Sequence, residues 1–241
     1  GRKSIIPSIF LKSKNPKIFT IHIQDPKVNF KNFNAIVVPE HDNLKGDNIY
    51  TSKGAIHYIN EKEISDAKQY LADKIKGEKI VSLILGGPNK YYSFDPDQII
   101  NIFNEIKSIF ISNGYKVIII PSMRTPKKII DLATKEMGVC GYVVNKVDKQ
   151  AYLSAYALAH YVVVTCDSTS MISEAATSGK PIFVAHMKTK KNNYRFKRFF
   201  ELFKQLGITR DLGEKVETWT YNKHNEAQRI AIEIKNKIRV N

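Results

Sequence analysis

Cysteine is nearly absent from this 241-residue chain, with Cys140 and Cys166 the only two. Both lie in or beside apolar runs and lack the spacing of a zinc site or a disulfide framework, so they read as buried free thiols in a reducing compartment. No apolar run reaches the roughly 18 residues that a membrane span needs. No signal peptide opens the chain, although it begins at Gly1 rather than Met, and a truncated or processed front is therefore expected. Arginine is scarce: seven of the 38 basic residues are Arg (Arg2, Arg124, Arg195, Arg198, Arg210, Arg229 and Arg239). A net charge of +15 would suit a nucleic acid. The excess is mostly lysine, however, in a chain rich in Ile and Asn, which is what an AT-rich gene produces. Nucleic acid is accordingly not expected as a partner, while a positive surface would attract phosphorylated substrates or anionic lipid. Also missing are G-x-G-x-x-G, G-x-S-x-G, a Cys–His pair, metal-ligand spacing, internal repeats and low-complexity tracts.

With 43% hydrophobic residues, the chain can bury a sizeable core in one large domain or two small ones. From residue 79 two patterns alternate. "KIVSLILGG", "YKVIIIPS", "GYVVN", "YVVVTC" and "KPIFVAHM" read as strands. "PDQIINIFNEIKSIFISNG", "TPKKIIDLATKEMG", "KQAYLSAYALAH" and "STSMISEAATSG" read as the helices between them. Five strands apolar on both faces imply a parallel sheet covered on both sides, a doubly wound Rossmann-like domain. Before residue 77 the pattern is less regular. It suggests a helix in "SIIPSIFLKS" interrupted by Pro7, strands near "KIFTIHI", "AIVVP" and "AIHYI", and a helix in "EISDAKQYLADKIK". The expected division is 1–76 as a partial α/β domain and 77–241 as the Rossmann-like one, with a hinge at "GEK", 77–79. A last helix is expected over roughly 224–239.

Ligands of open parallel sheets bind beyond the carboxyl ends of the strands, and three loops at that edge carry candidates. Gly86 and Gly87 in "GGPNK" would let backbone approach a ligand and offer amides to a phosphate, or would simply make a tight turn. "PSMRTP" supplies Ser122, Arg124 and Thr125. Thr125 reads as a cap with Pro126 opening the next helix, which leaves the arginine fork over for phosphate. In "DSTSMISEAATSGKP", Asp167, Ser168 or Ser170 can cap a helix that Gly179 and Pro181 end, and the same N-terminus would suit a diphosphate. Glu174 lies about a turn further in, as a solvated surface residue or a member of the same cleft. Near the front, Gln24 and Asp25, then Glu40, His41 and Asp42, follow strands as turn formers or as a general base. The stretch from Lys188 to Gln205 alternates cations with phenylalanines at helical spacing. It reads as an amphipathic helix docked on the sheet, or as a surface for anionic lipid headgroups or a lipid-linked acceptor.

"FTIHIQDPKVNFKNFNAIVVPEHD", "ILGGPNKYYSFD", "PSMRTP", "VVTCDSTSMISEAATSGKPIFV", "RFKRFFELF" and "ETWTYNKHNEAQRIA", with the opening "GRKSIIPSIFLKSK", resemble in order the mitochondrial fission factor family. That family is named for the elongated mitochondria of plant mutants and has many bacterial members. The resemblance implies a GT-B-like α/β fold, two Rossmann-like domains with the N-terminal one incomplete in this chain. It also implies a glycosyltransferase, and since backbone and Arg124 donors can neutralise the phosphates, neither a metal nor a cofactor is expected. By that resemblance its C-terminal domain would hold a nucleotide-diphosphate sugar through Gly86, Gly87, Asn89, Ser168 and Ser170, with Glu174 at the ribose; Ser122, Arg124, Thr125, Asp167 and Met171, at the same sheet edge, are expected to complete the site. His41, Glu40 or Asp25 would be the base. The acceptor would be an envelope lipid or saccharide and the protein cytoplasmic, peripheral on the inner membrane. Plant members are known instead for organelle fission through a dynamin-related partner, so a non-catalytic scaffold is the alternative. The sequence leaves the oligomeric state open.

Overall fold

A computed structural model describes residues 2–75, 79–213, 215–224 and 226–240. Residues 77 and 78 of the expected hinge lie outside the described residues. The chain divides into two compact units, 1–58 with 225–241, and 59–224.

In the smaller unit, α1 (Ile5–Lys14) is followed by parallel strands β1 (Ile21–Ile23), β2 (Ala35–Pro39) and β3 (Ile49–Ser52) in the order β1-β2-β3. Pro7 falls in the first turn of α1, where its missing N–H would have had no intrahelical partner, so it does not interrupt the helix. Ile36 and Val38 of β2 pack on one side with Ile5 and Phe33. The third strand is "IYTS" rather than "AIHYI": residues 55–59 carry no regular structure, and Ile59 belongs to the core of the other unit.

The larger unit holds α2 (Glu61–Asp66), α3 (Gln69–Ala72), β4 (Ile80–Leu85), α4 (Pro96–Ile109), β5 (Lys116–Pro121), α5 (Lys127–Met137), β6 (Gly141–Val143), α6 (Lys149–Leu158), β7 (Tyr161–Thr165), α7 (Thr169–Ala175), β8 (Ile182–Ala185), α8 (Tyr194–Gln205) and β9 (Thr209–Asp211). Its strands form one parallel sheet in the order β6-β5-β4-β7-β8-β9. Every residue of β4, β7 and β8 is buried, as a sheet covered on both faces requires. The five expected strands are present, and β9 is a sixth. "TRD" has no apolar run, and its strand character comes from pairing with Ile182–Val184. The single helix expected after residue 62 is two short ones.

α2 and α3 belong to the larger unit, across the boundary drawn at 76/77, because they pack on α6. The Ser154 hydroxyl accepts from the Leu71 N–H at 3.1 Å, the Tyr70 hydroxyl donates to Asp148 at 2.7 Å, and Lys149 pairs with Glu63 at 3.1 Å. The last helix, α9 (Glu226–Val240), returns to the smaller unit. There Ile230 and Ile234 pack with Ala35, Val37 and Tyr50 on the other face of its sheet.

Candidate functional site

Strand order in the large sheet reverses between β4 and β7, since the chain builds outward through β5 and β6 on one side and through β8 and β9 on the other. The carboxyl ends flanking such a reversal form the crevice where doubly wound sheets take ligands. There the loops after β4, β5 and β7 are joined through one carboxylate. Asp167 is 2% exposed. It accepts from the Gly87 N–H at 2.9 Å, the Thr165 hydroxyl at 2.7 Å and the Arg124 guanidinium at 2.8 Å. Arg124 also donates to the Gly87 carbonyl at 2.7 Å. Burial pushes the Asp167 carboxyl above its ordinary range, against the opposing pull of Thr165, Gly87 and Arg124.

This clamp revises the sequence reading at four places. The amides of Gly86 and Gly87 do not wait for a phosphate: Gly86 donates to the Thr165 hydroxyl at 2.9 Å and Gly87 to Asp167. The glycines are required by close packing, because a Cβ on Gly86 would lie 2.1 Å from the Asp167 carboxylate and one on Gly87 2.0 Å from the Arg124 carbonyl. Thr125 does not cap α5, which starts at Lys127 with Pro126 in the cap position and no side-chain cap. Its hydroxyl instead reaches the carbonyls of Leu85 and Gly86, at 3.0 and 2.5 Å, and tethers the β5 loop to β4. Of the three residues offered as caps for α7, Ser168 takes the role, accepting from the Met171 N–H at 3.3 Å, while Asp167 is the clamp.

The remaining candidates have mostly structural contacts. The Ser122 hydroxyl lies 3.2 Å from that of Thr125 and accepts from the Arg124 N–H at 3.3 Å. Asn89 folds its loop, accepting from the Tyr91 and Tyr92 N–H groups and donating to the Asp167 carbonyl at 3.0 Å. The Met171 side chain is core. Ser170 is exposed in the first turn of α7, which holds no acidic residue. Glu174 accepts from the Tyr152 hydroxyl at 2.6 Å, a bond between α7 and α6. Burial pushes the Tyr152 hydroxyl well above its ordinary range, so it stays a donor. Thr165 and Tyr152 escape a sequence reading. A threonine closing a valine strand just before an aspartate was the available signal for the first, and nothing marks the second. Cys166 is buried and its thiol pushed up to about 12, mainly by burial, which makes it inert.

In the smaller unit the candidate bases follow β1 and β2. Asp25 accepts from the Lys27 N–H at 2.9 Å and pairs with the Lys27 ammonium in a local turn. His41 is 2% exposed, 3.8 Å from Asp42. Glu40 is exposed. Among the described residues no group of three or more His, Cys, Asp or Glu is arranged to hold a metal, and no helix is long and apolar enough to cross a membrane.

Parallel sheets, helix-covered strands and the strand-order reversal define an α/β protein of the GT-B kind. Solved structures agree on the fold. Similar ones include the UDP-GlcNAc 2-epimerase of Methanocaldococcus jannaschii (TM-score 0.54, 12% identity, covering 96% of this chain and 74% of that one). Another is the family 9 glycosyl transferase of Veillonella parvula (TM-score 0.52, 12% identity, 98% and 74%). Within that class the chain belongs to the mitochondrial fission ELM1 family, whose sequence model matches residues 1–238. It is 25% identical over 280 residues to an uncharacterized protein of Rickettsia prowazekii, spanning 100% of this chain and 79% of that one. To the mitochondrial fission protein ELM1 of Arabidopsis thaliana it is 23% identical over 269 residues, spanning 99% of this chain and 62% of that protein.

Proposed function

We propose that the protein binds a nucleotide-diphosphate sugar at the carboxyl edge of the six-stranded sheet and moves the sugar to a hydroxyl of an envelope lipid or saccharide. The observation that carries this reading is the Arg124–Asp167–Gly87 clamp, which fixes three loops at the strand-order reversal. Loops tied to one another by buried bonds hold their shape before a ligand arrives, which lowers the ordering cost of binding. The diphosphate would lie against the first turn of α7, which carries no acid and where helix N–H groups and the Ser170 hydroxyl donate, with the nearby Asp167 carboxylate paired to Arg124. Arg124 has a side chain 40% exposed and, among the described residues, uses two of its five donors on Gly87 and Asp167, so it would face the phosphates with the rest. Glu174, oriented by Tyr152, would accept from ribose hydroxyls.

In the transfer, the acceptor oxygen attacks the anomeric carbon, the bond from that carbon to the diphosphate oxygen breaks, and the acceptor proton passes to a base. Of the three candidates Glu40 presents the exposed carboxylate. Donors fixed around the leaving diphosphate stabilise its growing charge, and the scheme calls for no metal. An acceptor carried on a lipid would bring a cytoplasmic protein to the membrane face.

The second reading is a family member that keeps the fold as a binding scaffold without chemistry. It is favoured by Glu174 and the loop amides being satisfied within the protein. Calorimetric titration with UDP-, GDP- and ADP-sugars tests both. One donor is expected to bind below millimolar, weakened at least tenfold by Ser170→Ala or Glu174→Ala, with slow release of the nucleoside diphosphate on incubation. Binding without release would favour the scaffold. Failure of all three donors at millimolar concentration would remove the nucleotide-sugar reading.

A further inference from the structure

From His186 to Phe200 the chain carries six Lys or Arg (Lys188, Lys190, Lys191, Arg195, Lys197 and Arg198) and no acid; the next acidic residue is Glu201. All six are exposed. Their arrangement is fixed from beneath. Asn193 caps α8, and Phe196, Phe199 and Phe203 bury the opposite face of the helix at 7%, 0% and 0% exposure, so the cationic face has one orientation. The preceding loop is fixed too. The Lys188 N–H donates to the Gln98 side chain at 2.6 Å, the Lys190 N–H to the Tyr91 carbonyl at 2.7 Å, and Thr189 bridges Tyr92.

That pinning extends the surface onto the loop after β4. The ammonium groups of Lys90 and Lys191 both stand over the Tyr91 ring, 4.7 and 5.7 Å from its centre. On α8, Lys197 stands 5.9 Å from the ring of Tyr194, which is 66% exposed. Seven exposed cations and two tyrosines thus lie on α8, on the loop before it and on the loop after β4 that this loop is tied to.

We propose that this face docks the protein on an anionic phospholipid bilayer. Its cations are mostly lysines, strongly hydrated point charges suited to a diffuse layer of headgroups rather than to reading a defined phosphate by a bidentate fork. Its tyrosines have the apolar ring and polar tip that settle at headgroup level. A free amphipathic helix at such an interface buries its apolar face among the headgroups. Here the phenylalanine side of α8 is committed to the protein core, so the contact is electrostatic and reversible. The inference does not depend on sugar-nucleotide binding, and the two can fail separately.

Sedimentation of the full chain with vesicles tests it. Binding is expected to vesicles of 30% phosphatidylglycerol in phosphatidylcholine at 0.05 M salt, but not to pure phosphatidylcholine, and to fall steeply by 0.5 M salt. Each lysine near an anionic surface contributes about fivefold, so Lys190→Glu/Lys191→Glu/Lys197→Glu should weaken binding by at least roughly 100-fold. The control Lys17→Glu/Lys31→Glu/Lys45→Glu makes the same change of net charge at exposed positions of the other unit. It should retain most of the binding, and matched melting curves for both variants would show that each is folded. The proposal fails if wild type does not sediment, if the control loses as much as the patch variant, or if single-stranded RNA binds the face more tightly than the vesicles and displaces them.

Discussion

At the carboxyl edge of the large sheet, Arg124 reaches Asp167 across 43 residues of chain, and Gly87 reaches it across 80. At the same edge of the small sheet, Asp25 reaches Lys27, and the imidazole of His41 lies against Asp42. The large unit ties distant loops to one carboxylate, so their mutual positions are set by the sheet. The small unit has long-range bonds as well, from the Lys53 N–H to Glu226 and from Arg229 to the Thr51 carbonyl, but these lie at the end of β3, whereas Asp25 contacts Lys27 and His41 contacts Asp42, near neighbours in sequence. Long-range bonds of the first kind are what keep functional groups in place to a fraction of an ångström. This is why the binding half of the proposed function rests on the large unit and the base is the less determined part.

The sharpest way to break that contrast is Asp167→Ala. Removing one partner of a buried ion pair costs about 3–5 kcal/mol when the other stays buried. Arg124 is 40% exposed and can recover water, so the low end, about 3 kcal/mol, is expected. The larger unit should then melt about 6–12 °C lower, with Asp167→Asn losing less because its carbonyl still accepts. A melting temperature within 2 °C of wild type would show that the loops do not depend on the clamp. The small unit has its own weak point where α9 closes its sheet. Ile230, 4% exposed against Ala35, Val37 and Tyr50, should cost about 2–4 kcal/mol as Ala. Ile232, 54% exposed on the same helix, should stay within about 0.5 kcal/mol. Scanning calorimetry should show only the transition of residues 1–58 with 225–241 moving, and a shift of both transitions together would mean that the two units unfold as one.

The alternation of strands and helices after residue 79 was legible because strands buried on both faces leave unbroken apolar runs, and β4, β5, β7 and β8 are such runs. Where burial does not write itself into composition, the reading slipped. β9 is half exposed, with Arg210 and Asp211 among its three residues. "AIHYI" alternates like a strand, yet "IYTS" is the segment that pairs with β2. At the site, residue types pointed to the right loops but not to the right bonds. An aspartate ahead of two serines and a threonine fits a cap as well as a clamp, and only the approach of β4 to β7 decides between them. Glycines that would admit a ligand look the same in sequence as glycines that admit a neighbouring carboxylate. Glu174 and Tyr152 are 22 residues apart, joined by the packing of α6 on α7, which no local pattern encodes.

The smallest expected effect tests where the units divide. Asp148 caps α6, accepting from the N–H groups of Gln150 and Ala151 at 2.8 and 3.1 Å, and it also accepts from Tyr70 of α3 at 2.7 Å. The Tyr70 hydrogen bond, partly opposed by burial and aided by the two N–H groups and nearby Lys146, holds the Asp148 carboxyl below its ordinary range. A carboxyl depressed in the folded state contributes stability that is present above the unfolded value near 3.9 and is lost as pH falls through the lower folded value. Asp148→Ala should therefore cost about 1 kcal/mol at pH 7, the usual worth of a cap, and the gap to wild type should close below pH 4. Tyr70→Phe removes the link to α3 and leaves the cap, so it should cost less and raise the carboxyl toward its ordinary range. Hydrogen exchange separates the two roles. If α2 and α3 belong with 59–224, Tyr70→Phe speeds exchange in α3 while α6 stays protected, whereas Asp148→Ala speeds both. Unchanged exchange in α3 for both variants would return the boundary to residue 76.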